Sequence, residues 1–377
     1  MRLRPLELAA IGAAAAFCAR SLHIATHSNY RLEPSALRDD LPFLSIVVPA
    51  RNEERQIERC VRSLLAQAYP KFEVVAVDDQ STDATHEILE RIASEDARLR
   101  VVRGATLPAG WVGKPWALVQ GANVARGELL LFTDADTVHE PPAAAASASY
   151  LKSFALDAVS VLCDQELETL AERAVLPTIF WTIGFAVGSF DALNDPQRPD
   201  NALFNGQYVM IPARVYRAFG GHEVVHDRIA EDYELAHFMK RRGYRTHLVG
   251  ASGLVRTRMY RSFVEIWHGF GKNLALGARE NTAALVAGAA FFALISPLPE
   301  VLLVRALAKR RYGAALVQAV AAGATIAAAE TGMRRSRLPK GSGLWLPAGV
   351  CAMLAILGKS IAAHGRGSVQ WRGRRYP

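Results

Sequence analysis

The stretch that most constrains the fold runs from Glu128 to Asp136 and reads Glu-Leu-Leu-Leu-Phe-Thr-Asp-Ala-Asp. An apolar run that leads directly into two acids predicts a strand buried on both faces, as in a parallel sheet. Ligands of open parallel sheets bind beyond the carboxyl ends of the strands. In an extended segment the carboxylates of Asp134 and Asp136 point the same way, and they suit a hard cation such as Mg²⁺ or Mn²⁺ that can hold a diphosphate. The alternative is a solvated turn that simply ends the strand.

Three other apolar segments precede this strand, at residues 44–49, 72–77 and 99–103. Helical patterns separate them, and this alternation predicts a Rossmann-like α/β fold with a mainly parallel sheet. Asp78 and Asp79 follow the second segment, so acids end two strands of one sheet. Neither a glycine-rich dinucleotide fingerprint nor a phosphate-binding P-loop follows any strand. Side chains and a metal ion are therefore expected to hold any nucleotide.

Four short motifs, taken in order along the chain, resemble those of family 2 glycosyltransferases with the GT-A fold. They are Val48-Pro49-Ala50-Arg51-Asn52-Glu53, Val77-Asp78-Asp79-Gln80-Ser81-Thr82-Asp83, Asp134-Ala135-Asp136 and Glu231-Asp232. The resemblance covers roughly residues 44–273. It implies a mixed, mainly parallel sheet with flanking helices and transfer of a sugar from a nucleotide donor. Asp232 alone is ambiguous, because the helix dipole favours acids in the first turn of any helix.

The resemblance also implies roles for individual residues. A nucleotide sugar, with a UDP-sugar expected, is contacted by Pro49, Arg51, Glu53, Asp78, Asp79, Lys114 and Asp134. A divalent metal ion, Mg²⁺ or Mn²⁺, is positioned by Asp134 and Asp136, and Asp232 is the catalytic base. A base that takes the proton of an acceptor hydroxyl, while that oxygen attacks the anomeric carbon opposite the diphosphate, gives inversion in a single displacement.

Within the family, several segments are similar to enzymes associated with hopanoid and carotenoid glycosylation, which implies a lipid or polyprenoid acceptor. These segments are residues 107–117, 258–260, 269–273 and 371–376. The Gln-x-x-Arg-Trp pentapeptide of the family's processive synthases is absent from the sequence, which indicates transfer of one sugar. On the acceptor side we expect Asn205, Gln207, Glu231, Arg258, Tyr260, His268 and Lys272.

Apolar segments near both ends of the chain indicate attachment to a membrane. Residues 8–19 are uncharged and predict an uncleaved anchor, with a signal peptide as the alternative. Residues 281–299, 312–329 and 341–358 are each about long enough to cross a bilayer, although Pro297 and Pro299 interrupt the first. We predict an anchor over residues 1–30, a glycosyltransferase domain over 40–280, transmembrane helices over 281–363 and a basic tail over 364–377.

Two parts of this predicted membrane topology have more than one interpretation. Three C-terminal crossings would place the basic tail and the cluster at residues 305–311 opposite the catalytic domain, whereas two crossings would return the tail to the catalytic side. Residues 174–190 are also uncharged, but a crossing there would separate Asp136 from Asp232 across the bilayer. We expect an interfacial helix there, with a helix buried against the sheet as the alternative.

Charge and cysteine usage indicate the partners and the compartment. The net charge is +8, and basic clusters flank the C-terminal apolar segments. This pattern favours contact with anionic lipid headgroups over binding to nucleic acid. The four cysteines have no paired spacing and indicate reduced thiols in a cytoplasmic domain. The expected location is the inner (plasma) membrane, with several crossings and a cytoplasmic catalytic domain.

Three other functions stay open from the sequence. A polyprenyl-phosphate glycosyltransferase would use Arg256 and Arg258 at the acceptor. A nucleotidyltransferase also combines a similar sheet with metal-binding acids, but it is expected to have a glycine-rich loop where this chain has Pro49-Ala50-Arg51-Asn52-Glu53. A non-catalytic membrane scaffold that keeps the fold is the third, and the intact Asp136 and Asp232 count against it.

Overall fold

The computed structural model describes residues 3–34, 40–276, 282–364, 369–371 and 374–376, with side chains at 3–34, 40–271 and 283–361. The chain divides into two compact units. We call residues 29–166 and 190–259 the sheet unit, and residues 1–28, 167–189 and 260–377 the helical unit. Half of the predicted basic tail, residues 365–368, 372–373 and 377, lies outside the described residues.

The strands in chain order are β1 Leu44–Ala50, β2 Phe72–Asp78, β3 Leu99–Arg103, β4 Leu129–Thr133, β5 Thr137–His139, β6 Ala158–Leu162, β7 Asp164–Gln165, β8 Tyr208–Pro212, β9 Thr246–Gly250, β10 Val255–Thr257, β11 Val369–Trp371 and β12 Arg374–Tyr376. Seven of them form the main sheet in the order β3-β2-β1-β4-β8-β6-β9, and β5, β10 and β7 form a smaller sheet. In the main sheet only β8 pairs antiparallel with its neighbours. The predicted mixed, mainly parallel sheet is therefore confirmed.

The helices in chain order are α1 Pro5–Thr26, α2 Ile57–Leu65, α3 Thr85–Glu95, α4 Gly113–Val124, α5 Ala143–Ser153, α6 Leu170–Val187, α7 Phe190–Asn194, α8 Ala213–Phe219, α9 Glu231–Arg241, α10 Phe263–Leu276, α11 Thr282–Ile295, α12 Leu298–Ala308, α13 Tyr312–Arg335 and α14 Leu346–His364. Two short 3₁₀ turns, Gly221–Val225 and Ser342–Trp345, join helices.

The alternation of side chains along β1 builds a core on each face of the main sheet. Leu44, Ile46 and Val48 point into a buried cluster that includes residues of α2, α3 and α5. Val47 points to the opposite face, into a cluster that includes residues of α4, α8 and α9. Both faces of the strand are thus apolar and covered by helices, which is why its sequence reads as a continuous apolar run.

The order of the strands brings the predicted acids to one edge of the sheet. β1 lies between β2 and β4 and is parallel to both, so the carboxyl ends of all three strands share an edge. Ala50 pairs with Asp78 at that edge. Because β8 is antiparallel to β4, its first residue, Tyr208, pairs with Thr133, the last residue of β4. The loop that enters β8 therefore reaches the same edge.

The helical unit contains five helices that are long and apolar enough to cross a membrane, by length and composition, among the described residues. They span Pro5–Thr26, Leu170–Val187, Ala283–Ala308, Tyr312–Arg335 and Ser342–Ile361. The third comprises α11 and α12, which are interrupted at Ser296 and Pro297, where the prolines predict a break. The segments predicted at the N-terminus and in the C-terminal third are all helical. Asn281, the first residue of one predicted segment, lies outside the described residues.

Helix α6 covers most of the segment predicted as interfacial or buried against the sheet. Thr169 caps its first turn: Thr169 Oγ1 accepts the Glu172 N–H at 3.3 Å, and Glu172 Oε2 accepts the Thr169 N–H. Ile179, Trp181 and Phe185 are buried in a cluster contributed by other helices of the helical unit. Burial against the sheet is therefore wrong, because these apolar residues pack on helices instead.

A crossing by α6 is also incompatible with the sheet unit. Residues 29–166 and 190–259 form one compact unit. A helix that crossed the bilayer once between residues 170 and 187 would place the two parts of that unit on opposite sides of the membrane. The apolar length of α6 alone therefore does not make it a transmembrane span.

Candidate active site

Backbone and side-chain contacts join the loops that follow β1 and β2. Arg51 Nη1 donates to the carbonyl oxygens of Asp79 at 2.5 Å and Gln80 at 3.1 Å. The Glu53 N–H donates to Thr85 Oγ1 at 2.7 Å, at the start of α3. Pro49 lies within β1, next to the edge. The residues predicted to contact a nucleotide are thus drawn together by contacts between these two loops.

Asp78 is fully buried at the end of β2. Its Oδ1 accepts the Ser81 N–H at 3.1 Å, and its Oδ2 lies 3.2 Å from Arg103 Nη1 and 3.4 Å from His86 Nδ1. These partners satisfy the hydrogen-bonding capacity of the buried carboxylate. Asp78 is therefore part of the internal framework of the donor-side loops, and its neighbour Asp79 is also buried.

Lys114, in the first turn of α4, connects acids from two distant parts of the chain. Its Nζ lies 2.9 Å from Asp134 Oδ1, just after β4, and 2.7 Å from Glu231 Oε1, in the first turn of α9. The side chain of Lys114 is only 17% exposed. A single buried cation therefore links the acids of the predicted metal motif to the acids of the predicted base motif.

The electrostatics of this cluster follow from its burial and its excess of carboxylates. Burial opposes the charge of Lys114, but Asp134, Glu231 and Asp232 outweigh it and raise the pKa of the ammonium group well above its usual range. Burial raises the pKa of Glu231 from 4.5 to about 7, and Asp232 adds to this while Lys114 opposes it. Lys114 is therefore charged, whereas Glu231 titrates near neutral pH.

Asp232 is held beside this cluster by two backbone groups. Its Oδ2 accepts the Gly206 N–H at 2.8 Å, and its Oδ1 accepts the Tyr233 N–H at 2.9 Å. Gly206 has little space: a Cβ atom there would lie 2.9 Å from both Asp232 Oδ2 and Lys114 Nζ. The loop before β8 can approach the two charged groups this closely because residue 206 has no side chain.

The chemistry of the side chains after β4 fits a hard divalent cation. Asp134 and Asp136 supply carboxylate oxygens, which Mg²⁺ and Mn²⁺ prefer. The nearby thiols of Cys60 and Cys163 stay protonated, because burial raises the pKa of Cys60 to about 12 and that of Cys163 well above its usual range, with both aspartates adding to each shift. The carboxylate oxygens of Asp134 and Asp136 are the candidate metal ligands.

No group of three or more His, Cys, Asp or Glu side chains suited to a metal occurs in the described part of the chain. A Mg²⁺-type site that is completed by substrate phosphates needs only one or two carboxylates. All four cysteines are free, in agreement with the reduced thiols predicted from their spacing.

The residues predicted on the acceptor side fall into different environments. Asn205 Nδ2 donates to the Val161 carbonyl at 2.9 Å, and Gln207 Nε2 donates to Thr257 Oγ1 at 3.0 Å. Both side chains therefore hold the loop before β8 in place. Glu231 pairs with Lys114. These three predictions thus lie at the edge that carries Asp134 and Asp232, where they support the charged cluster.

The remaining acceptor-side predictions are spread over the two units. Arg258 belongs to the sheet unit, whereas Tyr260, His268 and Lys272 belong to the helical unit. Tyr260 packs on Phe270, with 5.4 Å between ring centroids, and His268 Nδ1 lies 3.4 Å from Lys359 Nζ. The side chain of Lys272 lies outside the described residues. Nothing in this arrangement assigns an acceptor role to them.

Comparison with known proteins gives the family of one segment of the chain. Residues 45–186 match the model of the family described as "Glycosyl transferase family 2". The chain contains a family 2 glycosyltransferase domain. The matched residues include β1 to β4 and the acids that follow β2 and β4, so the match covers the donor side of the site described above.

Two relatives resemble parts of this chain. A beta-monoglucosyldiacylglycerol synthase from Nostoc sp. is 39% identical over 102 residues, 26% of this chain and 21% of the relative. A 4,4'-diaponeurosporenoate glycosyltransferase from Staphylococcus haemolyticus is 26% identical over 242 residues, 62% of each chain. The chain thus spans less than two thirds of either relative.

A solved structure supports the GT-A fold of the glycosyltransferase domain. It is the mannosyltransferase PcManGT from Pyrobaculum calidifontis in complex with GDP-Man and Mn²⁺, which superposes with a TM-score of 0.50 at 20% identity. The superposition covers 96% of this chain and 98% of that chain. At this identity the likeness concerns the fold alone.

Gly206 lies in the candidate site, although the sequence predicts no role for this residue by itself. Its signal was a glycine between two polar residues, just before the apolar strand Tyr208–Pro212. A glycine at that point predicts close approach of the backbone to another group. That group is the pair of Lys114 and Asp232. The local sequence does not identify it, because the contacts join residues that are far apart in the chain.

Proposed function

We propose that this protein is a membrane-bound, metal-dependent, inverting glycosyltransferase that moves one sugar from a nucleotide-sugar donor to a lipid or polyprenoid acceptor. The observation that carries the proposal is the cluster in which Lys114 joins Asp134 to Glu231, beside Asp232. It combines acids suited to a metal ion, which can hold a diphosphate, with a carboxylate suited to proton transfer.

The donor side of the proposal rests on the loops after β1 and β2. Carboxylates accept hydrogen bonds from ribose hydroxyls and base imides, and Asp79 directly follows β2, while the internally bonded Asp78 holds the loop in place. PcManGT is described in complex with a nucleotide sugar, GDP-Man, which supports a donor of this class. A UDP-sugar is the donor that we propose to test first.

A divalent ion held by Asp134 and Asp136 would stabilise the negative charge that develops on a departing diphosphate. The chain itself contributes those two carboxylates, which follow the end of β4. Lys114 balances the negative charge of Asp134 and of Glu231 at the same time, because its ammonium group contacts both carboxylates. The side chain of Lys114 thereby keeps several carboxylates close together in a largely buried place.

Asp232 is the base in this proposal. The N–H groups of Gly206 and Tyr233 orient its carboxylate, which would take the proton of an acceptor hydroxyl during attack on the anomeric carbon. The bond from the acceptor oxygen to the anomeric carbon forms as the bond to the diphosphate breaks. One displacement of this kind inverts the configuration at that carbon.

The acceptor class is supported by the relatives and by the helical unit. One relative is named for a glucosyl diacylglycerol and the other for the carotenoid acid diaponeurosporenoate, both of them lipids. Among the described residues five helices are apolar and long enough to cross a bilayer, and a membrane location would bring the site to such an acceptor. The proposed location is the inner membrane, with the catalytic domain in the cytoplasm.

No observation favours the alternative in which Arg256 contacts a polyprenyl phosphate. Arg256 forms ion pairs with Glu140 and with Glu166, the latter at 2.7 Å between Nε and Oε1. Its charge is thus already compensated within the sheet unit.

A transfer assay with the full-length protein tests the proposal. The purified protein in lipid nanodiscs is incubated with radiolabelled UDP-sugars or GDP-sugars and a lipid extract, with and without EDTA. We expect label in the lipid phase that EDTA abolishes and added Mn²⁺ or Mg²⁺ restores. Label that persists in EDTA would contradict the roles of Asp134 and Asp136. An absence of label with every donor would contradict the reaction class.

A further inference from the structure

A small basic cavity lies in the helical unit where three helix ends meet. Helix α1 begins at Pro5, α12 ends at Ala308 and α13 begins at Tyr312. The cavity between these ends has a volume of about 140 Å³. Ala306, Ala314 and their apolar neighbours pack beneath it, so the three ends are joined by a small hydrophobic cluster.

Positive charge predominates in the lining of the cavity. It includes four cationic side chains, those of Arg4, Arg305, Lys309 and Arg311, and one acid, Glu7. Glu7 is buried, and its Oε1 and Oε2 lie 2.6 Å and 3.0 Å from the guanidinium nitrogens of Arg311. The acid is thus committed to Arg311 and to the Arg4 N–H, which donates to Glu7 Oε2 at 2.8 Å.

The other three cationic side chains form no ion pair of this kind among the described residues. Across the described residues, no ion pair joins Arg4, Arg305 or Lys309 to a carboxylate. The cavity is therefore lined by four cationic side chains and one acid, Glu7, whose ion pair is formed with Arg311. Arg4, Arg305 and Lys309 are exposed, so water and salt screen their mutual repulsion, and an anion bound between them would be attracted by all three charges.

The surface below the cations indicates the kind of anion. Val301, Val304 and Leu307 of α12 are about half to two thirds exposed, and so is Leu316 of α13. These helices belong to segments that are long and apolar enough to cross a bilayer. A charged cavity at the ends of apolar helices matches a molecule with an anionic head and apolar chains.

We propose that this cavity binds the phosphate diester of an anionic phospholipid, with the acyl chains along the exposed apolar faces of α12 and α13. Arginine suits this role because its planar guanidinium donates two parallel hydrogen bonds to phosphate oxygens. The Glu7–Arg311 pair fixes one side of the cavity, and Arg4, Arg305 and Lys309 supply the charge that attracts the lipid. The site requires no sugar transfer.

Native mass spectrometry of the full-length protein, released from nanodiscs, counts the lipids that stay bound. We expect one phosphatidylglycerol molecule to be retained and phosphatidylcholine to be lost. The variant R305Q/K309Q should bind phosphatidylglycerol about 30-fold more weakly, because two charges near a lipid headgroup are removed. The control R334Q/K340Q removes two charges near the other end of α13 and should bind as wild type does.

Several outcomes would overturn the inference. Equal retention of phosphatidylcholine would show that charge does not select the lipid, and an equal loss in the control would show that only net charge matters. Displacement of the lipid by millimolar inorganic phosphate would show a site for free phosphate instead. If R305Q/K309Q does not fold, Arg4→Gln, which lies before α1, replaces it with the same expected direction. Transfer activity is a separate readout, so failure here leaves the proposed reaction untouched.

Discussion

The ammonium group of Lys114 lies 2.7 Å from Glu231 Oε1 and so fixes the first turn of α4 to the first turn of α9. The same group lies 2.9 Å from Asp134 Oδ1. One lysine therefore balances the negative charge of carboxylates from two motifs that are separated by about a hundred residues of sequence. The following predictions test what this contact does for stability and for the proposed reaction.

Lys114→Met keeps the length of the side chain and removes its charge. We expect the free energy of unfolding to fall by about 3 kcal/mol, because buried carboxylates lose their counter-ion. Lys152→Met is the matched control: Lys152 also forms an ion pair, with Asp40 at 2.8 Å, but both side chains are more than half exposed, so its effect should stay below about 1 kcal/mol. Thermal unfolding in detergent measures both.

The variant K114M/E231Q should recover part of the loss in stability. Equal effects of the single variants K114M and K152M would contradict the prediction.

Glu231→Gln should change how stability depends on pH. The pKa of Glu231 rises from 4.5 to about 7 on folding, so the folded state holds this proton more tightly. The resulting stabilisation is complete below pH 4.5 and disappears as pH rises to about 7, a change of about 3 kcal/mol. Relative to E231Q, the wild type should lose stability between pH 5 and pH 8.

The comparison with E231Q is needed because buried histidines act in the opposite direction. Burial lowers the pKa of His139 and His222 to about 3 and that of His247 to about 4. Stability that depends on their neutral form is lost as pH falls below 6.5. Both proteins share this effect, so it cancels in the difference between their melting temperatures. A difference that is constant from pH 5 to pH 8 would refute the titration of Glu231.

Gly206→Ala should impair transfer while leaving the fold intact. The new Cβ would lie 2.9 Å from Lys114 Nζ and from Asp232 Oδ2, and these flexible side-chain ends would have to move. We expect turnover to fall about tenfold or more, because small displacements of catalytic groups are costly. Gly250→Ala is the control, since its Cβ would meet only ordinary contacts of 3.7 Å or more. Unchanged turnover in G206A would show that the close approach is not needed.

Asp232→Asn should lower turnover by about 10² to 10⁴, the usual contribution of a general base. Binding of the nucleotide sugar, measured by calorimetry, should not change. Glu234→Gln removes another acid from the first turn of α9 and should keep nearly full turnover. Near-normal transfer by D232N would remove Asp232 from the mechanism and leave the base unidentified.

The donor half of the fold could be predicted closely from the sequence. The strand β3 begins and ends at the predicted residues, and β4 lies within the predicted stretch from Glu128 to Asp136, because buried parallel strands are continuous apolar runs with polar residues on both sides. The acids after β2 and β4 share an edge, as expected for parallel neighbours. These features depend on local composition and on one rule of sheet geometry, both of which are visible in the sequence.

Other features depend on contacts that no local pattern encodes. The strands β5, β7 and β10 are two or three residues long and have no strand-like repeat of their own. Glu231 was expected near the acceptor, but its carboxylate faces Lys114, a residue more than a hundred positions earlier. The packing partners of α6 were likewise hidden, because an apolar helix fits a sheet, a bilayer or other helices equally well by composition.

The direction of β8 determines which loop can affect chemistry. Since this strand runs against β4, residues 205–207 approach Lys114 and Asp232, whereas the turn at Pro212 that leads into α8 leaves from the opposite border. Extra residues in the turn after Pro212 would therefore leave the candidate site undisturbed. Insertion or deletion of one residue ahead of Tyr208 would instead alter the spacing between the Asp232 carboxylate and the Lys114 ammonium group.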